Sequence, residues 1–104
     1  MTTPRSIMQE VSPKLAEMTV DVLFGDIWER PELSKRDRSL ITVANLVALY
    51  RTDQLKGHIG RALDNGVTRD EISEVILHTT FYAGWPTGAN AARVAKEVFD
   101  ERGI

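Results

Sequence analysis

The chain has 104 residues, no cysteine, and 13 basic against 15 acidic side chains, a formal net charge of -2. That length fits one domain with a thin core, and the missing thiols exclude disulfides, thiolate nucleophiles, redox pairs and cysteine-held metals. The near balance of charge gives no broad drive toward nucleic acid or an anionic membrane surface, so neither is expected as a partner.

Met1 to Glu10 read as a loose arm ahead of a single helical domain over residues 11–104. The arm holds no apolar run of signal-peptide length, and no stretch approaches about 18 uninterrupted apolar residues; a cytoplasmic location is expected. From Pro13 to Phe24, Leu15, Met18 and Val22 recur at helical spacing, with Pro13 suited to a first turn, Ser12 placed to cap it and Gly25 to end it. Asp26 to Leu33 form a connector around Trp28, and Arg30-Pro31 turns the chain away from helix. A second helix begins near Ser34, with Asp37 at capping-box spacing. It runs through Leu40, Ile41, Val43, Ala44, Leu46, Val47, Ala48, Leu49 and Tyr50 with apolar residues on nearly every face, which suits a domain centre or a subunit seam.

Beyond Arg51, Thr52 or Asp53 caps a third helix striped by Leu55, Ile59, Ala62 and Leu63, and Asn65-Gly66 closes it. Thr68 and Glu71 have full capping-box spacing, and Ile72, Val75, Ile76 and Thr79 form the inner stripe that follows. Gly84 and Pro86 stop this helix. Thr87 caps the last one, which carries Ala91, Ala92, Ala95, Val98 and Phe99 and ends at Gly103. No segment alternates as a strand does, and no linker or repeat divides the chain. The fold class is therefore all-α, a compact domain of about five principal helices. These helices need more apolar cover than one small subunit supplies, so a homo-oligomer is expected.

Few residues can carry chemistry. His58 lies at the edge of the third helix's apolar stripe, either as a proton-transfer group or as a half-buried helix histidine bonded to a carbonyl. His78 is four residues after Glu74 and four before Tyr82, so the three share a face, either as a tuned acid–base pair or as a solvated helix pair. Two histidines on separate helices make no metal site, and phosphate loops and dinucleotide fingerprints are absent, so no metal and no cofactor is expected. Arg36, Arg38 and Arg51 are candidates to hold a carboxylate, with a solvated surface role as the alternative for each. Trp28, Phe81, Tyr82 and Trp85 suit a core wall or a subunit seam, and Tyr82 also offers a hydroxyl.

The segments Ile27 to Ser34 and Arg36 to Ala44, then His58 to Ile72 with Ala62-Leu63-Asp64-Asn65-Gly66-Val67-Thr68, then Leu77-His78, Tyr82 to Pro86 and Asn90-Ala91, resemble the carboxymuconolactone decarboxylase family. The likeness covers roughly residues 20 to 99. It implies an alkylhydroperoxidase-like helical subunit assembled into trimers or hexamers, with a cofactor-free carboxy-lyase activity on gamma-carboxymuconolactone or a related small anionic cyclic acid. On that resemblance His58, His78 and Tyr82 are the expected catalytic residues, with His58 the expected proton-transfer group and His78 and Tyr82 completing its network; for a carboxylate substrate, Arg38, Arg51 and Trp85 are the expected binding residues. Arg51 and Gln54 stand where the peroxidase branch of the superfamily carries its two redox cysteines, and Ser39 where that branch often has an acid. Thiol peroxidase activity is thereby excluded for this chain acting alone. The alternatives are a hydrolase or isomerase on another small acid, and a noncatalytic oligomeric binding protein.

Overall fold

A computed structural model of the chain describes residues 4–104, with side chains from Ile7 onward. Six α-helical segments are present among the described residues: α1 (Pro4–Val11), α2 (Pro13–Met18), α3 (Lys35–Ala48), α4 (Thr52–Asp64), α5 (Arg69–Ala83) and α6 (Trp85–Arg102). The fold is all-α, and its contacts divide it into two units, Met1–Leu33 and Ser34–Ile104. No helix among the described residues is long and apolar enough to cross a membrane.

In the first unit, α1 occupies residues 4–11, where the sequence suggests a loose arm; the rest of that arm, residues 1–3, lies outside the described residues. Pro4 stands at the first helical position, where its missing N–H removes no helical hydrogen bond. Ser12 does not cap α2 through its hydroxyl, contrary to the sequence expectation. Its N–H donates to the Met8 carbonyl at 2.7 Å and its own carbonyl accepts from Ala16 at 3.1 Å, so the Ser12 backbone splices α1 into α2. The helix then widens into a π-helical turn over Thr19–Phe24. A side chain at position 25 would place its Cβ 2.7 Å from the Asp21 carbonyl oxygen, so this wide turn can close only on glycine. A 3-10 turn over Ile27–Glu29 follows, and the Phe24 and Trp28 rings stack 6.2 Å apart.

The second unit is an up-and-down arrangement of α3 to α6. Ser34 caps α3 as its spacing predicts, its hydroxyl accepting from the Asp37 N–H at 3.0 Å. The capping box of α5 is complete: Glu71 N–H donates to Thr68 Oγ1 at 3.1 Å, and Thr68 N–H donates to Glu71 Oε1 at 2.9 Å. Such a pair of bonds satisfies two otherwise orphaned helix-end donors. Leu55, Ile59 and Ala62 of α4 are fully buried against Val43 and Val47 of α3, Ile72 of α5 and the α6 residues Ala91, Val94, Ala95, Val98 and Phe99. Each large aliphatic side chain so buried contributes about 1.5–3 kcal/mol, and these residues hold the unit together.

Two expected caps are not used. α4 begins on Arg51 with no side-chain cap, because Tyr50 adopts a left-handed conformation (φ 61°) and turns the chain so that Thr52 is already helical. α6 begins at Trp85, two residues before Thr87, because Pro86 is preset for a first helical turn. The reversal before it needs Gly84, whose φ of 114° a side chain would strain. Ala92 of the expected α6 stripe is exposed and Val94 is buried in its place.

Gly88 sets how closely α6 approaches α5. A Cβ at position 88 would lie 1.8 Å from Thr80 Oγ1, and that hydroxyl is held in place by donating to the Ile76 carbonyl at 2.7 Å. Gly88→Ala is therefore expected to lower stability by about 1–3 kcal/mol, read from urea unfolding midpoints. Adding Thr80→Ala should restore part of that loss. Equal stability of wild type and Gly88→Ala would show that the contact is not close.

Candidate functional site

The two ends of the second unit differ in chemistry. At the end where α3 starts, polar contacts tie the elements together. Arg36 ion-pairs with Glu71, Asn65 Nδ2 donates to the buried Ser39 Oγ at 3.0 Å, and Arg102 donates to Asp64 at 2.8 Å and to the Gly60 carbonyl at 3.0 Å. At the opposite end the α3–α4 turn meets the α5–α6 turn. Asn90 Nδ2 donates to the Tyr50 hydroxyl at 2.7 Å and to the Pro86 carbonyl at 2.9 Å, joining the two turns. Tyr50, Phe81, Tyr82 and Trp85 are all exposed there.

Four of the six residues singled out by the sequence belong to this aromatic end. His78 and Tyr82, one turn apart on α5, pack with ring centroids 5.0 Å apart. His78 also lines a depression of about 370 Å³ between α3 and α5. Leu40, Ala44 and Val75 give that depression an apolar side, while Glu71 and Glu74 give it carboxylates. Trp85 packs edge-on against Phe81, with centroids 5.5 Å apart at 82°. Arg51 leads into α4, and its Nη1 donates to the Leu49 carbonyl at 3.0 Å, which fixes a guanidinium at the α3–α4 turn.

The other two stand apart. Arg38 is half-buried on α3 and His58 half-buried on α4, and neither lines the depression that holds His78. Burial, and secondarily the charge of Arg61, pushes the His58 imidazole below its ordinary value of 6.5. Among the described residues no cluster of three His, Cys, Asp or Glu side chains is placed to hold a metal ion.

Sequence reasoning placed Tyr50 only within the apolar run of α3 and gave Asn90 no role. The available signals were the break in that run at Tyr50-Arg51 and the four-residue spacing from Pro86 to Asn90, which brings an amide back over the first turn of α6.

Residues 13–97 match the carboxymuconolactone decarboxylase family, and the chain belongs to that family. It is 47% identical over 81 residues to a 4-carboxymuconolactone decarboxylase of Acinetobacter baylyi, a match covering 78% of this chain and 60% of that protein. It is 32% identical over 85 residues to a nitrosuccinic acid decarboxylase of Metarhizium robertsii, covering 82% of this chain and 59% of that protein. The matched region is thus less than two thirds of the length of either relative.

The lowered His58 pKa carries a stability prediction. The unfolded chain takes up a proton near pH 6.5 while the folded chain resists it, so the contribution of neutral His58 is complete above 6.5 and is lost as the pH falls toward the folded pKa. Urea midpoints measured from about pH 7.5 down to about pH 5.5 should fall more steeply for wild type than for His58→Gln. Parallel curves would contradict a buried neutral imidazole.

Proposed function

We infer that the chain is a cofactor-free decarboxylase of gamma-carboxymuconolactone or of a closely related small cyclic acid, working as a homo-oligomer, a trimer or hexamer. Family membership supports the reaction class, and both relatives are named for decarboxylating a small acid. The single geometric observation that carries the reading is the His78–Tyr82 ring pair, with His78 lining the depression between α3 and α5. Exposed Leu77, Phe81 and Trp85 on and beside α5 support the oligomer, since contiguous apolar side chains of this size favour cover by another surface.

In this reading Arg51 orients the acetate group that stays on the ring, and the departing carboxylate faces the Leu40, Ala44 and Val75 side of the depression, away from Glu71, which Arg36 neutralises, and from Glu74. An apolar surround favours a transition state whose charge is spread over the lactone above a localised carboxylate, whereas a cation on the departing group would stabilise the ground state. The carbon–carbon bond breaks, carbon dioxide leaves, and the electron pair passes into the unsaturated lactone as a dienolate. His78, with Tyr82 beside it, delivers a proton to the carbon next to the lactone carbonyl, giving the enol-lactone. His58 is the alternative donor, and Arg38 the alternative carboxylate holder.

A noncatalytic small-acid-binding protein is the second reading, favoured by one observation: His58 does not line the depression that holds His78. Ultraviolet absorbance and carbon dioxide release from freshly prepared gamma-carboxymuconolactone, with a chelator present, separate the two. We expect turnover well above the spontaneous rate, reduced about a hundredfold or more in folded His78→Ala. Loss in His58→Ala alone would move proton delivery to His58, and an inactive but assembled wild type would favour the binding reading.

A further inference from the structure

The depression that holds His78 has no lysine or arginine in its lining to receive an acid. Of its two carboxylates, Glu71 is already engaged: Oε1 accepts from the Thr68 N–H at 2.9 Å, and Oε2 takes the Arg36 ion pair. Glu74 forms no hydrogen bond or ion pair among the described residues. A small acid seated in the depression therefore meets an uncompensated carboxylate, and like charges at close range repel. His78 does not remove the difficulty, because a protonated donor loses its charge as it delivers the proton.

Arg51 presents the converse. It is exposed, its Nη1 donates to the Leu49 carbonyl at 3.0 Å, and no acid pairs with it among the described residues. A guanidinium carries five N–H donors, so most of those on Arg51 are open to a carboxylate. Within its own chain Arg51 leads into α4 and does not line the His78 depression.

The surfaces around these two groups bring them together in a second copy. Leu77 and Phe81, one turn apart on α5, and Trp85, packed edge-on against Phe81, form an apolar patch. On α5 it lies beside the row of Glu74, His78 and Tyr82. Leu49 and Tyr50, next to Arg51, are also more than half exposed. Asn90 bonds both the Tyr50 hydroxyl and the Pro86 carbonyl, so the 49–51 turn and the patch share one end of the second unit in a fixed relation. A two-fold contact across that end is reciprocal, and lays each copy's 49–51 turn on the other copy's patch. Of a trimer and a hexamer, the hexamer can contain such an axis. The contact covers apolar side chains on both copies and brings the unpaired Arg51 to the unpaired Glu74, which is complementary in charge.

We propose that the site is shared between two copies of the chain: Arg51 of the partner subunit reaches over the His78 depression, compensates Glu74 and holds the carboxylate that the small cyclic acid retains. The proposal deepens the decarboxylase reading, rests on it for the class of ligand, and specifies which chain provides the guanidinium. One subunit alone then has the proton donor without the carboxylate holder.

The test combines two variants that are each deficient. Arg51→Gln keeps an amide N–H for the Leu49 carbonyl and should lower turnover of gamma-carboxymuconolactone about tenfold or more, and His78→Ala about a hundredfold or more. Co-expressed in equal amounts, the two chains should regain about a quarter of wild-type turnover, because random pairing joins an intact His78 to an intact Arg51 in that share of sites. Turnover no higher than the average of the two variants overturns the proposal and leaves the decarboxylase reading in place, as does full activity of Arg51→Gln. A second readout needs no turnover. The chain has no cysteine, so Arg51→Cys and Glu74→Cys chains mixed and oxidised should form a heterodimer whose 51–74 disulfide is identified by mass spectrometry. Assembled protein without that cross-link overturns the proposal, and this readout decides if Arg51→Gln fails to assemble. A cross-linked pair in a protein whose wild type does not decarboxylate gamma-carboxymuconolactone would end the enzyme reading and leave the shared arrangement standing.

Discussion

The absence of a side chain at position 88 allows α6 to lie against α5, where Thr80 fills the space a Cβ would need. Everything at the aromatic end follows from that approach. With α6 seated, Gly84 must reverse the chain in one residue, Trp85 and Pro86 must open the helix, and Asn90 comes within reach of Tyr50. The same seating places Trp85 against Phe81, one helical turn from His78. A packing constraint between two helices thus becomes the geometry of the candidate site.

The two ends of the second unit divide the tasks of stability and chemistry. Fully buried aliphatic residues of α4, packed on α3, α5 and α6, supply most of the stabilisation. The ion pairs at the polar end are exposed or partly so, and pairs of that kind contribute little each. What they give is register: Arg36 on Glu71 and Asn65 on Ser39 fix the start of α3 against the α4–α5 turn. The aromatic end keeps the exposed rings of Tyr50, Phe81, Tyr82 and Trp85, and the left-handed Tyr50 caps α3, its N–H donating to the Val47 carbonyl at 3.1 Å and that of Arg51 to the Leu46 carbonyl at 2.9 Å.

Much of this fold could be read from the sequence because its signals are local. The Thr68–Glu71 capping box, the Ser34 cap and the Leu55, Ile59, Ala62 stripe depend on residues three or four apart, and all three appear as their spacing predicts. The failures share a cause. Thr52 and Thr87 are good capping residues by type, but the left-handed Tyr50 and the preset Pro86 start their helices earlier. The inner face of α3 was equally hidden, since buried Ser39 is matched by an asparagine 26 positions along the chain. At the candidate site, the four-residue spacing of His78 and Tyr82 revealed their pairing. The separation of His58 from the depression, and the bond between Tyr50 and Asn90, depend on tertiary contacts that no local pattern encodes.

The central claim is that a small cyclic acid is held against the α3–α5 depression, beside His78 and Tyr82. Backbone amide chemical-shift mapping during titration with muconolactone tests it most directly. The account predicts the largest shifts at Leu40, Ala44, Val75, His78 and Tyr82, with the Gly60, Asp64 and Arg102 cluster unmoved. Shifts concentrated at that cluster, or around Arg38 and His58 with the depression silent, would contradict it.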